Sequence, residues 1–252
     1  MISIRSPGRE GEHSNVKIKA LALVLTAALL LCGCGQKSET AAAAPAQAVT
    51  APAAQSSTAR PVSTGVTPEQ FGAKGDGIAD DLQALQAAMQ QASASGRPLE
   101  LTAGAVYRFS SCLGLPSGLT IRGNGAVLLS DIQYHDLKED RVAVELMKDS
   151  DDDRAHDVRL ENVTFRAADS CQANYMLRVM LARNVEFVVC TFDCEPNEWG
   201  RCAADLYGGN ENIRFEGCVF RQMTSGASGG IWVRNWTDRV ESRNIRFQNC
   251  EF

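Results

Sequence analysis

Histidine is scarce in this chain, with three residues in 252, and only His135 and His156 fall in the region expected to fold. Neither belongs to a recognisable catalytic triad. A zinc centre on Cys190, Cys194 and Cys202 would lack both a nearby histidine and a compact spacing, so no metal site is expected. Positive charge is not in excess either: 25 Lys and Arg against 30 Asp and Glu give a formal charge of −5. Residues 1–33 carry Arg5, Arg9, Lys17 and Lys19 against Glu10 and Glu12, so without them the charge falls from −5 to −7. That sign argues against nucleic acid as a partner. No apolar run reaches the roughly 20 residues that a spanning helix needs.

What the N-terminus does have is a basic segment followed by twelve residues, Ala20 to Leu31, all apolar or small except Thr26. The run ends in Leu31-Cys32-Gly33-Cys34, which resembles a bacterial lipobox. Cys34 follows the small residue Gly33 and is the expected lipidation site; Cys32 follows Leu31 and is not. Residues 1–33 are therefore read as a lipoprotein signal peptide, and the anchor as a contact with the membrane through two acyl chains. Gly35 in place of aspartate directs the expectation to the outer membrane of a bacterial envelope. Residues 34–66 are rich in Ala, Pro, Ser, Thr and Gln and read as a flexible tether. Residues 67–252 remain for one domain with a real core.

Glycine punctuation opens that domain. Phe71-Gly72-Ala73-Lys74-Gly75-Asp76-Gly77 leads through Asp80-Asp81 into an apolar stripe at helical spacing, Leu82, Leu85, Ala88, Met89 and Ala92, which Gly96 and Pro98 close. Asp80 or Asp81 can accept hydrogen bonds from the first free helix amides. This stretch resembles the N-terminal signature of the pectate-lyase superfamily domain, and the resemblance continues through residues 99–107 to Leu119-Thr120-Ile121-Arg122-Gly123-Asn124-Gly125. Thr102-Ala103 departs from the proline usual there. The resemblance implies an all-β fold, a right-handed parallel β-helix whose short α-helix caps one end. It gives Asp80 and Asp81 a structural role.

The rest of the chain repeats. Segments beginning at His156, Arg183, Glu211 and Arg243 each run to a phenylalanine nine residues later, with starts 27, 28 and 32 residues apart. Apolar and polar residues alternate within them, as in Ile213-Arg214-Phe215-Glu216, which predicts strands with one face in a core. Leu160, Phe165, Phe192, Ile213 and Phe220 are expected to point inward. Asn162 and Asn249 share a phase where family members stack asparagines, although Val189 and Gly217 interrupt it. Cys190, Cys218 and Cys250 follow Val163 in one inward column and read as small buried hydrophobes rather than disulfides between coils. Cys194 and Cys202 share one loop, where a local disulfide and separate thiols both stay open. The chain reaches Phe252 just after its last repeat with no capping element, so a truncated reading frame or a fragment of a longer protein is expected.

Loops 166–175, 193–204 and 221–230 follow three of these phenylalanines on one side of the solenoid, and a further strand follows each loop. With Leu177, Val179, Leu206, Ile231 and Val233 inward, the outward set is Arg178, Met180, Asp205, Tyr207, Trp232 and Arg234. Rings can hold the apolar faces of sugars, and arginine can grip a uronate through two parallel hydrogen bonds. The resemblance places substrate clefts on this sheet. Asp205 is the expected catalytic carboxylate, and Arg178, Tyr207, Trp232, Arg234 and Trp199 the expected substrate-binding residues. Asp169, Asp193, Glu195 and Glu198 are loop carboxylates without a fixed geometry, whereas a typical glycosidase needs two at a set separation. The paired-aspartate and Gly-His-Gly motifs of polygalacturonases are missing. Asp149-Ser150-Asp151-Asp152-Asp153 has oxygen ligands for Ca2+ but neither the spacing nor the glycine of a recognised loop, so it reads as a solvated turn and no cofactor is assigned. The expected partner is a polysaccharide, acidic in preference to neutral, acted on by a lyase or hydrolase relative or simply bound. The alternative is a structural or adhesive β-helix.

Overall fold

The computed structural model describes residues 65–133, 141–147, 153–194, 202–221, 230–234 and 241–252. Lipidation at Cys34, the wall at Trp199, the loop acids Glu195 and Glu198, and the Asp149–Asp152 portion of the acidic turn lie outside the described residues. The described strands form three sheets, and their neighbouring strands pair in parallel. Sheet I stacks Asp76–Asp80, Val106–Phe109, Val127–Ser130, Thr164–Ala167, Thr191–Asp193 and Val219–Arg221. Sheet II stacks Leu113–Gly114, Val142–Met147, Tyr175–Met180, Cys202–Tyr207 and Ile231–Arg234. Sheet III stacks Leu99–Glu100, Thr120–Arg122, Ala155–Glu161, Ala182–Val188, Glu211–Glu216 and Arg243–Gln248. The chain visits the sheets in rotation, so hydrogen-bonded neighbours come from successive coils. This is a parallel β-helix.

The repeat phase sets the register residue by residue: His156 pairs with Arg183, Arg183 with Glu211, and Glu211 with Arg243. The inward side chains make one continuous core, with Leu160, Phe165, Phe192, Ile213 and Phe220 all buried. Phenylalanines stack along it in two columns. Phe165, Phe192, Phe220 and Phe252 follow one another at ring-centroid spacings of 4.9, 4.9 and 5.2 Å, and Phe187, Phe215 and Phe247 at 4.7 and 4.7 Å. Strand spacing of about 4.8 Å dictates these offsets once the same residue recurs at the same phase. Cys190 and Cys218 sit buried beside them with Cys250 half-buried, each thiol directed to a backbone carbonyl. Cys194 and Cys202 are held as two thiols, both buried.

The corner between sheets III and I turns on a single left-handed residue. Asn162, Val189, Gly217 and Asn249 occupy it at φ 51, 53, 60 and 53°. Asparagine and glycine suit that region; a β-branched valine does not. Gly123 answers a different demand, since a Cβ there would lie 2.3 Å from the Asn162 carbonyl oxygen of the next coil. The corner between sheets II and III is fixed by buried Asn210, whose side-chain amide donates to Val179 O at 2.9 Å and whose Oδ1 accepts from Ala182 N at 3.2 Å.

At the N-terminal end, the helix Leu82–Ser95 buries Leu85, Ala88, Met89 and Ala92 and ends on Gly96 at φ 64°. The two aspartates before it divide their work. Asp80 Oδ1 accepts from the Leu82 amide at 3.2 Å, whereas buried Asp81 turns back and accepts from Lys74 N and Gly75 N at 2.7 and 3.0 Å. The glycine loop is shorter than its composition suggests: Asp76–Asp80 is the edge strand of sheet I, because pairing with Val106–Phe109 supplies its backbone with partners.

Candidate functional site

Sheet II brings one row of outward positions together. Glu145 pairs in register with Arg178, Arg178 with Asp205, and Asp205 with Trp232, while Tyr207 pairs with Arg234. Alternation turns Leu177, Val179 and Leu206 into the core, where all are fully buried. Ile231 and Val233 share that phase but lie on the last strand of the sheet with a neighbour on one side only; Ile231 is half-buried and Val233 is 54% exposed.

Asp205 is the centre of the cluster and has no exposed surface. Its Oδ1 accepts from Arg234 Nε at 2.8 Å, and its Oδ2 from Arg234 Nη2 at 2.7 Å and Arg178 Nε at 3.2 Å. The Arg234 grip is bidentate, the strong geometry for this pair. It raises the affinity of the Arg234 guanidinium for its proton, chiefly through the hydrogen bonds to Asp205 and against a burial that opposes it. Both arginines also lie against rings. The guanidinium carbon of Arg178 is 4.7 Å from the Tyr175 centroid, and that of Arg234 is 4.6 Å from Tyr207 and 4.8 Å from Trp232. Tyr175 and Trp232 meet edge to face at 6.1 Å. Exposure separates the two cations: the Arg178 side chain is 6% exposed and that of Arg234 is 37% exposed.

The structure thus gathers Arg178, Asp205, Tyr207, Trp232 and Arg234 on one face. It also adds two residues that the sequence pattern passed over. Tyr175 read as the last residue of a loop, yet it begins the strand Tyr175–Met180, and its ring contacts Arg178 and Trp232. Glu145 sits next to Arg178 on a strand that precedes the first repeat segment. Beside it, the Cys112 thiol is pushed up to about 12 by burial and by the Glu145 carboxylate. The Cys202 thiol, at the start of the central strand, is pushed up to about 11, mainly by burial. Neither is a nucleophile at neutral pH.

The chemistry available here differs from a ready-made acid–base pair. Three hydrogen bonds from two guanidinium groups converge on Asp205, which has no exposed surface. The geometry instead makes Asp205 the residue that sets the positions of two cations. Each guanidinium also faces a second tyrosine, Arg178 at 5.9 Å from the Tyr207 centroid and Arg234 at 5.8 Å from that of Tyr175. Of the loop acids, Asp193 ends a strand of sheet I, where Oδ2 accepts from Arg166 Nε at 3.3 Å and Oδ1 is buried with no hydrogen-bond partner among the described residues. Among the described residues no three His, Cys, Asp or Glu side chains group as metal ligands.

Three parallel sheets wound as a solenoid, with a helix at the N-terminal end, make the fold that of a parallel β-helix. The chain belongs to the family described as "Rhamnogalacturonase A/epimerase, pectate lyase-like", which matches residues 66–251. No curated protein matches it. Among solved structures, PfbA, a surface adhesin of Streptococcus pneumoniae, superposes with a TM-score of 0.53 at 16% identity over 74% of this chain and 48% of that one. ORF18 of Geobacillus virus E2 gives 0.49 at 16%, covering 74% and 48%. The A-module of the mannuronan C-5 epimerase AlgE6 from Azotobacter vinelandii gives 0.38 at 14%, covering 72% and 62%. The chain therefore spans about half the length of the first two. At such identities the likeness is one of fold.

Proposed function

We propose that this protein is an envelope-anchored β-helix that binds polysaccharide on the outer face of sheet II, with acidic glycans preferred. The observation that carries the reading is the fixed, half-exposed guanidinium of Arg234. Two of its five N–H donors are committed to Asp205 and a further side-chain hydrogen bond joins it to Tyr175; the donors left over can meet the carboxylate of a uronate residue. Trp232 and Tyr207 flank it and supply apolar contact to the sugar ring. Family membership supports a carbohydrate ligand in general. Anchoring through diacylated Cys34 at the envelope is part of the same proposal, motivated by Leu31-Cys32-Gly33-Cys34.

Binding without turnover is the form of the proposal that the Asp205 geometry favours, because this central carboxylate is buried and held by arginine on both oxygens. A lyase would need an accessible base beside the uronate carboxylate. The test is calorimetric titration of the full chain in detergent with pectate, alginate and a neutral glucan, alongside absorbance of unsaturated products. Tighter binding of the two polyuronates, lost in Trp232→Ala with Arg234→Ala, is the expected result. Equal affinity for all three removes the acidic preference, and product formation restores an enzyme.

A further inference from the structure

Sheet III carries a groove of about 680 Å³, lined by none of the residues of the sheet II cluster. Its two walls are repeating rows. One consists of Asp157, Asn184, Asn212 and Asn244, all left-handed at φ 54–57°. The other is Arg159, Glu186, Arg214 and Arg246, paired in register across four coils. The two rows lie two residues apart along each strand and line the groove together.

The first row is a hydrogen-bonded ladder. Asn184 Nδ2 donates to Asp157 Oδ1 at 2.9 Å, Asn212 Nδ2 to Asn184 Oδ1 at 3.0 Å, and Asn244 Nδ2 to Asn212 Oδ1 at 2.6 Å. A side-chain amide has two donor hydrogens and two acceptor lone pairs. The ladder uses one of each at Asn184 and Asn212, so each exposed amide keeps one donor and one acceptor. A hydroxyl group, which donates and accepts at once, is the complement of that pair. The rungs recur at the strand spacing of about 4.8 Å, comparable with the length of one pyranose in an extended chain. The charged row is largely neutralised from within: Glu186 binds Arg159 and, at 3.8 Å, Arg214, and Glu161 and Glu216 bind the same two arginines. An anionic ligand would have to compete with these carboxylates, and a polyol would not.

We propose that this groove is a second carbohydrate site, which takes a neutral, hydroxyl-rich linear glycan lying along the solenoid axis. The site is independent of the one on sheet II. It lacks aromatic side chains in its lining, so each rung contributes little and affinity rises with the number of rungs engaged.

The experiment is calorimetric titration of the full chain with cellohexaose, cellobiose and pectate. Cellohexaose is expected to bind at least tenfold more tightly than cellobiose. Asn212→Gly keeps the left-handed backbone, which glycine adopts freely, and deletes the central amide; it should weaken cellohexaose at least tenfold while leaving pectate unchanged. Arg246→Ala removes an exposed wall residue without touching the ladder and should weaken cellohexaose severalfold, so the answer does not hang on one variant folding. The proposal is overturned if the wild type does not bind cellohexaose, if neither variant changes its affinity, or if Trp232→Ala abolishes it, which would put the neutral chain on sheet II. Loss of pectate binding alone would remove the sheet II reading and leave this one standing.

Discussion

Asp205 and Arg234 form a two-point contact across neighbouring strands of sheet II, with Arg234 Nε and Nη2 on opposite carboxylate oxygens at 2.8 and 2.7 Å. Arg178 completes the cluster from the other side at 3.2 Å. The central carboxylate is therefore a holder of cations first, and the ligand face is built from what it holds.

Asp205→Asn should separate stability from chemistry. Removing one partner of a buried ion pair leaves uncompensated charge and costs about 3–5 kcal/mol, and Arg178 is nearly as buried as Asp205. Chemical denaturation is the measurement. A variant that keeps wild-type stability but loses product formation would instead make Asp205 a catalytic base.

Val189 offers the opposite sign. It occupies a left-handed corner at φ 53° and is 56% exposed, so the side chain gains little from burial. A non-glycine residue held there costs about 1–3 kcal/mol, more at the upper end for a β-branched one. Val189→Gly should raise the unfolding midpoint, and Val189→Asn should do so too by continuing the corner asparagines at 162 and 249.

Phe192 touches both phenylalanine columns, stacking on Phe165 and Phe220 and meeting Phe187 and Phe215 edgewise. Phe192→Ala should cost about 3–5 kcal/mol, read from equilibrium unfolding.

Acid should find Asp131. The Ser170 hydroxyl at 2.6 Å, and then Arg108 at 2.6 and 2.9 Å, hold its carboxyl below the usual carboxylate value, against a burial that pushes it up. With the folded value lowered, the unfolded chain binds the proton first. The stabilisation is thus present above about pH 4 and is lost as pH falls through the folded value. Ser170→Ala should move the Asp131 titration upward in carbon-detected NMR and make stability less dependent on pH in that range.

Cys34→Ser tests the anchor. The wild type is expected to incorporate labelled fatty acid and sediment with membranes, and the variant to do neither; a wild type that is unlabelled and wholly soluble ends the lipoprotein proposal.

The repeats were legible because their information is periodic. One phase, read from Leu160, Phe165 and Ile213, assigns the inward positions of the four repeat segments on sheets III and I and the register between their coils. Sheet II was readable at Arg178, Asp205 and Trp232 for the same reason. It failed at the strand starts, where Tyr175 and Cys202 join the sheet through backbone bonds to Arg141 and Asn174 that no local pattern announces. Val189 shows the limit in the other direction: the corner it occupies is dictated by neighbouring coils and overrides its own preference. Ion pairing was the least visible feature. Outward phase placed Asp205 on the surface of the sheet, but two arginines from adjacent coils close over it.

The stacked rings also bear on length. Phe187, Phe215 and Phe247 stack with their planes nearly parallel, within 8–9°, and each meets its neighbours through the same contact. A ring in one coil cannot distinguish the coil above from a copy of itself. Gain or loss of one whole turn of 27 or 28 residues would therefore leave both columns intact, so solenoids of this kind can change size in discrete steps while the faces that meet ligands keep their order.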